Sequence, residues 1–496
     1  MGGRLTAEYG EYMDTGYSTI SERPVQLWIS ASLLEDRFDA EFYQPVYLSA
    51  LDSVRSTGFP TRPLVGVCVD KFRVYWGIKG LNNPPSTTHI PYIRPNEVAD
   101  DGWIEYDSLK TIERHWADDL PGAVVKPGDL LVEVKGNARK VHIVRDDVPP
   151  FTFVSGSMYR FVPSNEVDVQ YLWAYLTSQT CQTIKARLMS NSIIKWINPE
   201  DISQLPVPLP PKSVQEYIGA KVRLAERCRT RARELRQQVQ DTLNEWYREA
   251  PAELTQARSF LVESLELDSP RLDAWHYQPH YRRLVQWCRQ HQFIPVSSIA
   301  SLAKRRWSPK QSQQLSFHYI EISDVDVSRG RVEGKELLTS EAPGRARQLI
   351  QAFDILISTV RPERKGVGIA SADMDGWIAS TGFSILETET LGIAHFLCAA
   401  LRHDVSTLQM MRWNTGATYP AIDADVPLNV LVPNLSSEAR SEVGRSFQAA
   451  IELDDRATQL VREAQADIEA LIERRLDVEG IVAGRVQPLT WEDVEA

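Results

Sequence analysis

The sequence predicts a mixed α/β (α+β) protein of two tandem domains of one design, each followed by a long helix, with the two helices pairing as a coiled coil. Three observations predict it. Short segments recur in collinear order about 225 residues apart. Two proline-delimited stretches carry an apolar residue every seventh position. Between them lie short apolar runs flanked by Gly, Pro or Asp, the pattern of strands in a compact domain.

The repeat is read first, because its period decides the architecture. Asp129-Leu130-Leu131-Val132 returns as Asp354-Ile355-Leu356-Ile357, and Val154-Ser155-Gly156-Ser157 as Ala379-Ser380-Thr381-Gly382. Tyr171-Leu172-Trp173-Ala174 falls on Phe396-Leu397-Cys398-Ala399, Ile197 on Ile422, and Val207-Pro208 on Val432-Pro433. Upstream the offset widens, as loop insertions would make it. Tyr92-Ile93 with Glu97-Val98 matches Tyr319-Ile320 with Asp324-Val325 at 227. Asp39-Ala40 before Tyr43-Gln44-Pro45 matches Asp273-Ala274 before Tyr277-Gln278-Pro279 at 234. So long a period is a duplicated domain rather than a solenoid.

The divisions that follow are an N-terminal extension (1–25), a first domain (26–210), a first helix (211–250), a linker (251–269), a second domain (270–435), a second helix (436–477) and a C-terminal tail (478–496). Strands are expected at 64–69, 129–134, 141–144, 158–162, 354–360, 367–370 and 383–386, and helices over 169–188 and from Ile393.

Residues 206–211 break the chain, and Ser213 with Glu216 fits a capping box for the first helix. Ile218, Ala225, Ala232, Val239 and Trp246 form its seam, with Cys228 and Leu235 three residues on. The second helix, capped by Ser436 or Ser437, repeats the seam with Val443, Ala450, Ala457, Ala464 and Leu471, and with Leu453 and Leu460. Val443 lies 225 beyond Ile218, so the phase survives the duplication. The alanines permit close approach of a partner, and the simplest partner is the other copy. A helix lying on its own domain is the alternative. The first helix is basic (Lys221, Arg223, Arg227, Arg229, Arg231, Arg233, Arg236) and the second acidic (Glu452, Asp454, Asp455, Glu463, Asp467, Glu469, Glu473). Opposite charge favours first with second over self-pairing, although charge runs also form plain solvated faces.

Composition bounds the function. With 43% hydrophobic and 24% charged residues, collagen-like, mucin-like and wholly disordered classes are out. The longest apolar stretch, 391–401, is too short for a span and holds His395. Arg4, Glu8, Glu11 and Asp14 replace any secretory h-region, so a cytoplasmic chain is expected. Cys68, Cys181, Cys228, Cys288 and Cys398 are scattered, giving neither a disulfide framework nor a zinc spacing. A net charge of −11 argues against coating nucleic acid by bulk charge but leaves room for local basic surfaces.

Such surfaces are present in the loops. Lys135, Arg139 and Lys140 follow one expected strand, and Arg361, Arg364 and Lys365 follow its repeat. Lys71, Arg73 and Lys79 accompany Tyr75 and Trp76, and Lys304, Arg305, Arg306 and Lys310 surround Trp307. Lys and Arg on strand-end loops reach phosphates, and Arg also pairs bidentately with guanine. A basic loop alone is often only solvated; its recurrence at equivalent places in an acidic chain points to DNA.

Enzyme readings are weaker. Asp129 with Glu133-Val134-Lys135, and Asp118 or Asp119 nearby, resembles a nuclease metal site, but the repeat carries Ser358-Thr359-Val360 there. Asn83-Pro84-Pro85-Ser86 lacks the aromatic an amino-methyltransferase needs to stack a flipped base. His276 and His280 suit zinc by spacing but lack the glutamate of a metalloprotease, so capping and packing are expected of them. No P-loop is present, and no metal or catalytic residue is assigned.

This organisation resembles the DNA-specificity (S) subunit of type I restriction-modification systems. The most specific match is Val207-Pro208-Leu209-Pro210-Pro211 followed by Gln215 and Ile218, like the family's proline turn into its spacer helix. Residues 191–201, with Ile197, Asn198 and Asp201, and Gly416-Ala417-Thr418-Tyr419-Pro420-Ala421-Ile422 resemble the segment closing a target-recognition domain. Gly128-Asp129-Leu130-Leu131 resembles its Gly-Asp-aliphatic strand. The resemblance covers residues 26–477. It departs at Val432-Pro433-Asn434-Leu435, at Arg440 in place of the glutamine, and at the Asp-Ala-x-x-Tyr-Gln-Pro segment opening each domain.

The resemblance implies a non-catalytic subunit whose helices pack antiparallel. Each domain would read half of a bipartite, asymmetric target in double-stranded DNA. Two methyltransferase subunits would bring S-adenosylmethionine, and a nuclease-translocase subunit would bring ATP. The alternatives are an S-like targeting or scaffold subunit of another phage-defence complex, or a Mg²⁺-dependent nuclease.

Overall fold

The computed structural model describes residues 34, 37, 39–74, 89–190, 195–253, 255–264, 267, 271–415 and 419–495. Lys79, Tyr75, Trp76, the segment 83–86 and the motif residues 191–194 and 416–418 lie outside the described residues. The chain divides into two compact units. The first is Met1–Val169, Tyr175–Pro210 and Glu469–Leu476; the second is Gln170–Ala174, Pro211–Ile468 and Asp477–Ala496.

Among the described residues, the first unit holds strands β1 (Cys68–Phe72), β2 (Leu130–Glu133), β3 (Val141–Ile143) and β4 (Met158–Pro163) in an antiparallel sheet ordered β1-β4-β2-β3. Leu130, Leu131 and Val132 are fully buried, as expected of a central strand covered on both faces. Asp129 starts this strand: its carboxylate accepts the Lys126 amide (2.8 Å) and pairs with Arg160 of β4 (2.7 Å). Alongside, His89–Ile93 lies between Thr111–Glu113 and the parallel Phe153–Val154. The strand expected at 64–69 is a 3-10 turn over Leu64–Val67, and β1 follows it, because Leu64 and Val67 share one buried face at spacing three.

The second unit repeats the plan. Strands β5 (Ser301–Leu302), β6 (Ile355–Ser358), β7 (Val367–Ile369) and β8 (Phe383–Glu387) run β5-β8-β6-β7, extended by Arg331–Val332 and Val325–Asp326. Leu130 faces Phe161 in the first sheet, and Ile355 faces Leu386 in the second, each shifted by 225. Tyr92 pairs in parallel with Phe153, and Tyr319 with Ile378. Asp354 accepts the Gln351 amide (2.8 Å) as Asp129 accepts that of Lys126, but its cation is Arg305, which follows β5.

The helix expected over 169–188 is two helices, α1 (Val169–Thr177) and α2 (Gln179–Arg187). Ser178 breaks it by accepting the Cys181 amide and capping α2. After the long helix α3 (Lys212–Trp246), the repeat has α4 (Leu391–Leu401) and α5 (Asp404–Met411), broken by His403, whose Nδ1 accepts the Val405 amide at 3.2 Å.

The second long helix is α6 (Ser437–Ile472). Ser213 lies inside the first turn of α3 behind Pro211 rather than capping it, whereas Ser436 accepts the Ala439 amide at 3.2 Å. Ile218, Ala225, Ala232, Ala450, Ala457, Leu460 and Ala464 are fully buried, Val239 and Val443 nearly so, and Leu235 is half-buried. Trp246 is 48% exposed, against expectation, and Leu243 and Tyr247 are buried in its place. A strict heptad drifts by about 20° per repeat on a straight helix, so its last position has walked off the face.

Ion pairs join the helices, among them Lys221 with Asp467 (2.5 Å) and Arg236 with Asp454. The partners' numbers run in opposite directions, so α3 and α6 are antiparallel. This register sets Ala225 level with Ala464, Ala232 with Ala457 and Val239 with Ala450.

The segment opening each domain has a structural role. Asp39 accepts the Phe42 amide (3.1 Å) and pairs with Arg37 (2.8 Å); Asp273 accepts the His276 amide (3.0 Å) and pairs with Arg271 (2.7 Å). Arg187 at the end of α2 donates to the Phe42 carbonyl (3.0 Å), and Arg412 after α5 to that of His276 (3.1 Å). Arg37 reaches back to the Met189 carbonyl and Arg271 to those of Trp413 and Asn414. Each opening segment is thus clasped by charge-assisted bonds to the end of its own helix.

Candidate nucleic-acid interface

In the first unit the basic loop 134–140 connects β2 to β3. It is laid against residues 195–197: the Ile197 amide bonds the Val134 carbonyl (2.9 Å), and the Gly136 amide bonds that of Lys195 (3.0 Å). The backbone of Lys135 bridges that of Trp196. Lys135, Arg139, Lys195 and Trp196 are exposed. Gly136 and Ala138 take left-handed backbone conformations (φ 94° and 51°). Glu133 holds the turn by accepting the Arg139 (3.0 Å) and Lys140 (3.2 Å) amides.

The second unit builds the same surface with other residues. Val360 bridges Ala421, which is the Lys135–Trp196 bridge moved by 225 at both ends. The Arg361 amide bonds the Pro420 carbonyl (2.8 Å), and the Ile422 amide bonds that of Thr359 (2.9 Å). The Arg361 guanidinium lies 5.1 Å from the ring centre of Tyr419, which is 68% exposed. Arg361 and Lys365 both have positive φ (52° and 55°). Such strain costs about 1–2 kcal/mol per residue without a glycine and concentrates at functional sites. Arg364 between them is exposed.

Backbone bonds tie further basic segments to this loop. Thr359 bonds Gly382 (2.9 Å), its neighbour Thr381 bonds Arg345 (2.9 Å), and Trp307 bonds Arg347 (2.8 Å). Lys304, Arg306, Lys310 and Arg345 are exposed here.

Several of the basic residues singled out in the sequence have their charge committed internally. Lys140 donates to the Pro95 (3.0 Å) and Val98 (2.6 Å) carbonyls. Arg305 is shared between Asp354 and Glu387, and Lys365 pairs with Asp404 at 2.6 Å. Half-buried Lys71 reaches Ser203 (3.4 Å), and Arg73 reaches the Gly156 carbonyl (3.3 Å). Lys135, Arg139, Lys304, Arg306, Lys310, Arg361 and Arg364 remain at the surface. Sequence reasoning missed Lys195, Trp196, Tyr419 and Arg345 as surface partners. The repeat of Ile197 at Ile422 was the available signal for Lys195, Trp196 and Tyr419, which lie within three residues before it; Arg345 had none.

The carboxylates weighed for metal chemistry have structural partners, Asp129 with Arg160 and Glu133 with two amides. His276 packs 4.5 Å from Trp413, and His280 donates from Nδ1 to the Thr255 carbonyl (3.1 Å).

Burial depresses two other imidazoles. His142 donates to the Gly102 carbonyl (2.8 Å) and accepts from the Tyr106 hydroxyl (2.9 Å), and desolvation brings it down to about 3. His403 is brought down to about 4 by the same cause. Unfolded histidine titrates near 6.5, so below that pH the unfolded state binds the extra protons and stability falls. Each should cost roughly 2 kcal/mol between pH 7 and pH 5. Urea unfolding of wild type should show this loss, and His142→Asn should show a smaller one; an equal loss in both would refute the assignment.

No protein-family model and no curated protein matches the chain. Among solved structures, it is similar over 85% of its length to 96% of a type I restriction-modification S subunit from M. genitalium, at 15% identity and a TM-score of 0.40. Over 84% of its length it is similar to 97% of the HsdS subunit from Thermoanaerobacter tengcongensis (17% identity, TM-score 0.29). It is also similar over 84% to 98% of a chain from a structure of type I restriction-modification complex assembly (16% identity, TM-score 0.29).

Proposed function

We propose that this chain is a non-catalytic DNA sequence-specificity subunit whose two domains (26–210 and 270–435) each read one half of a bipartite target. One observation carries the reading. Both units hold a strained basic loop against the same closing segment, but one presents Lys135 and Trp196 and the other Arg361 and Tyr419. Equivalent placement with different chemistry suits two readers of different half-sites. The quoted sequence motifs support the same assignment. On this reading the paired helices (211–250 and 436–477) set the spacing of the half-sites. A 35-residue helix is about 50 Å long, enough to govern a separation near one turn of DNA. The partners are two methyltransferase subunits, carrying S-adenosylmethionine, and a nuclease-translocase subunit using ATP, all in the cytoplasm.

Replacing Arg361 and Arg364 together by alanine tests the two-reader model. Loss of base or phosphate contacts is worth about 1–3 kcal/mol each. Competition binding with duplexes mutated in one half-site at a time should show discrimination lost at one half-site and kept at the other. Equal loss at both would refute two independent readers.

A further inference from the structure

We propose that the end of each long helix positions the candidate reading loop of the other repeat's domain, through a relay that joins equivalent elements in both repeats. The inference rests on the DNA reading above, in which loops 134–140 and 359–366 face the target.

In the second unit the relay starts at Asn244 of α3, the helix of the first repeat. Its Oδ1 accepts from His403 Nε2 at 3.0 Å. His403 caps α5 through Nδ1 and stacks on Tyr247 of the chain just beyond α3 (centroids 4.4 Å, 20° between planes). The next residue, Asp404, pairs with Lys365 at 2.6 Å and closes the loop that carries Arg361 and Arg364. In the first unit the relay starts at Glu469 of α6, the helix of the second repeat. Its carboxylate accepts the Thr180 amide at 2.9 Å and the Thr180 hydroxyl, in the first turn of α2. Further along the same helix, Gln182 donates to the Arg139 carbonyl at 3.1 Å, and the buried Lys185 reaches the same oxygen at 3.5 Å. Glu133 holds the amide of that residue.

Glu469 lies 225 residues after Asn244, and His403 lies 225 after Ser178, the cap of α2. The two copies therefore link the same elements through different contacts: Glu469 meets Thr180 and the Arg139 carbonyl is held in one, whereas Asn244 meets His403, the equivalent of Ser178, and the Lys365 side chain is held in the other. Recurrence of the linkage between equivalent elements while the contacts changed argues that the connection matters, not any one contact. A carboxylate on the first turn of a helix also satisfies an orphan amide and complements the helix dipole, so Glu469 fixes where α2 sits. Base readout needs side chains held to within about 0.5 Å, and a loop gains that only from the rigid elements beneath it. Glu469, Lys185, Asn244 and Asp404 are accordingly positioning residues, none of which need touch DNA.

The test is selection of a randomised double-stranded DNA library by the purified full-length protein, with sequencing of the bound fraction. Glu469→Ala and Lys185→Met should relax base preference about tenfold in the half-site also relaxed by Lys135→Ala, leaving the other intact. Asn244→Ala and Asp404→Asn should relax the half-site also relaxed by Arg361→Ala. Glu469→Gln, which keeps an acceptor oxygen, should restore most of the preference lost in Glu469→Ala, separating positioning from general instability. The relay is overturned if Glu469→Ala broadens both half-sites equally, or neither, while wild type selects a sequence. A wild-type protein that selects no sequence overturns the DNA reading itself, and the relay with it.

Discussion

Replacing Asp454 by alanine is expected to destabilise the helix pair by about 3–5 kcal/mol, read as a lower urea midpoint. Asp454 is 1% exposed, bonded to Arg236 of α3 and 3.9 Å from Arg329, while its neighbour Asp455 takes Arg331 at 2.6 Å. Removing the carboxylate takes from the largely buried Arg236 guanidinium its ion-pair partner. Burial raises the Asp454 carboxyl above the usual range despite the pull of Arg236, Arg329 and Arg331. Desolvation thus outweighs attraction, so the pair specifies register more than it stabilises. The double variant Arg236→Met with Asp454→Leu should therefore be at least as stable as wild type. If Asp454→Ala alone were as stable as wild type, this contact would not hold α3 to α6.

Gly444→Val should cost about 3 kcal/mol or more, against an intrinsic helix gain below about 1 kcal/mol for losing a glycine. A Cβ at Gly444 would lie 2.3 Å from the carbonyl oxygen of Gly392 and 3.1 Å from its carbon, backbone atoms that cannot rotate aside. Helices α4 and α6 therefore cross backbone to backbone. Gly392→Ala is the control: its Cβ would meet Ser441 at 3.7 Å, an ordinary contact, and should cost under about 1 kcal/mol. Thermal unfolding of both variants checks the contrast; equal behaviour would contradict the crossing. Gly219 sits buried in α3 at the position 225 residues before Gly444, the one glycine in that helix as Gly444 is in α6.

The repeat, the central strands and both long helices were legible because each rests on a local pattern: apolar runs bounded by Gly or Asp, and a seven-residue period. What the sequence hid depends on partners far along the chain. Ser178 breaks a helix that the sequence reads as continuous over 169–188, since a cap is one side-chain hydrogen bond that leaves no mark on the apolar periodicity. Arg305 reads as one member of a basic cluster, yet Asp354 and Glu387, distant in sequence, take its charge. Trp246 fits the heptad on paper and leaves the seam through helical drift. Trp196 and Tyr419 carry no local signal of exposure; the Lys135–Trp196 bridge and the Arg361–Tyr419 contact show them beside basic loops.

The most direct test of two-site DNA specificity is a genome-wide map of methylated bases in cells with and without the gene for this chain. The account predicts one bipartite motif, two unlike half-sites around an unread spacer, methylated only when the gene is present. Identical maps in the two strains, or loss of a continuous motif with no spacer, would contradict it.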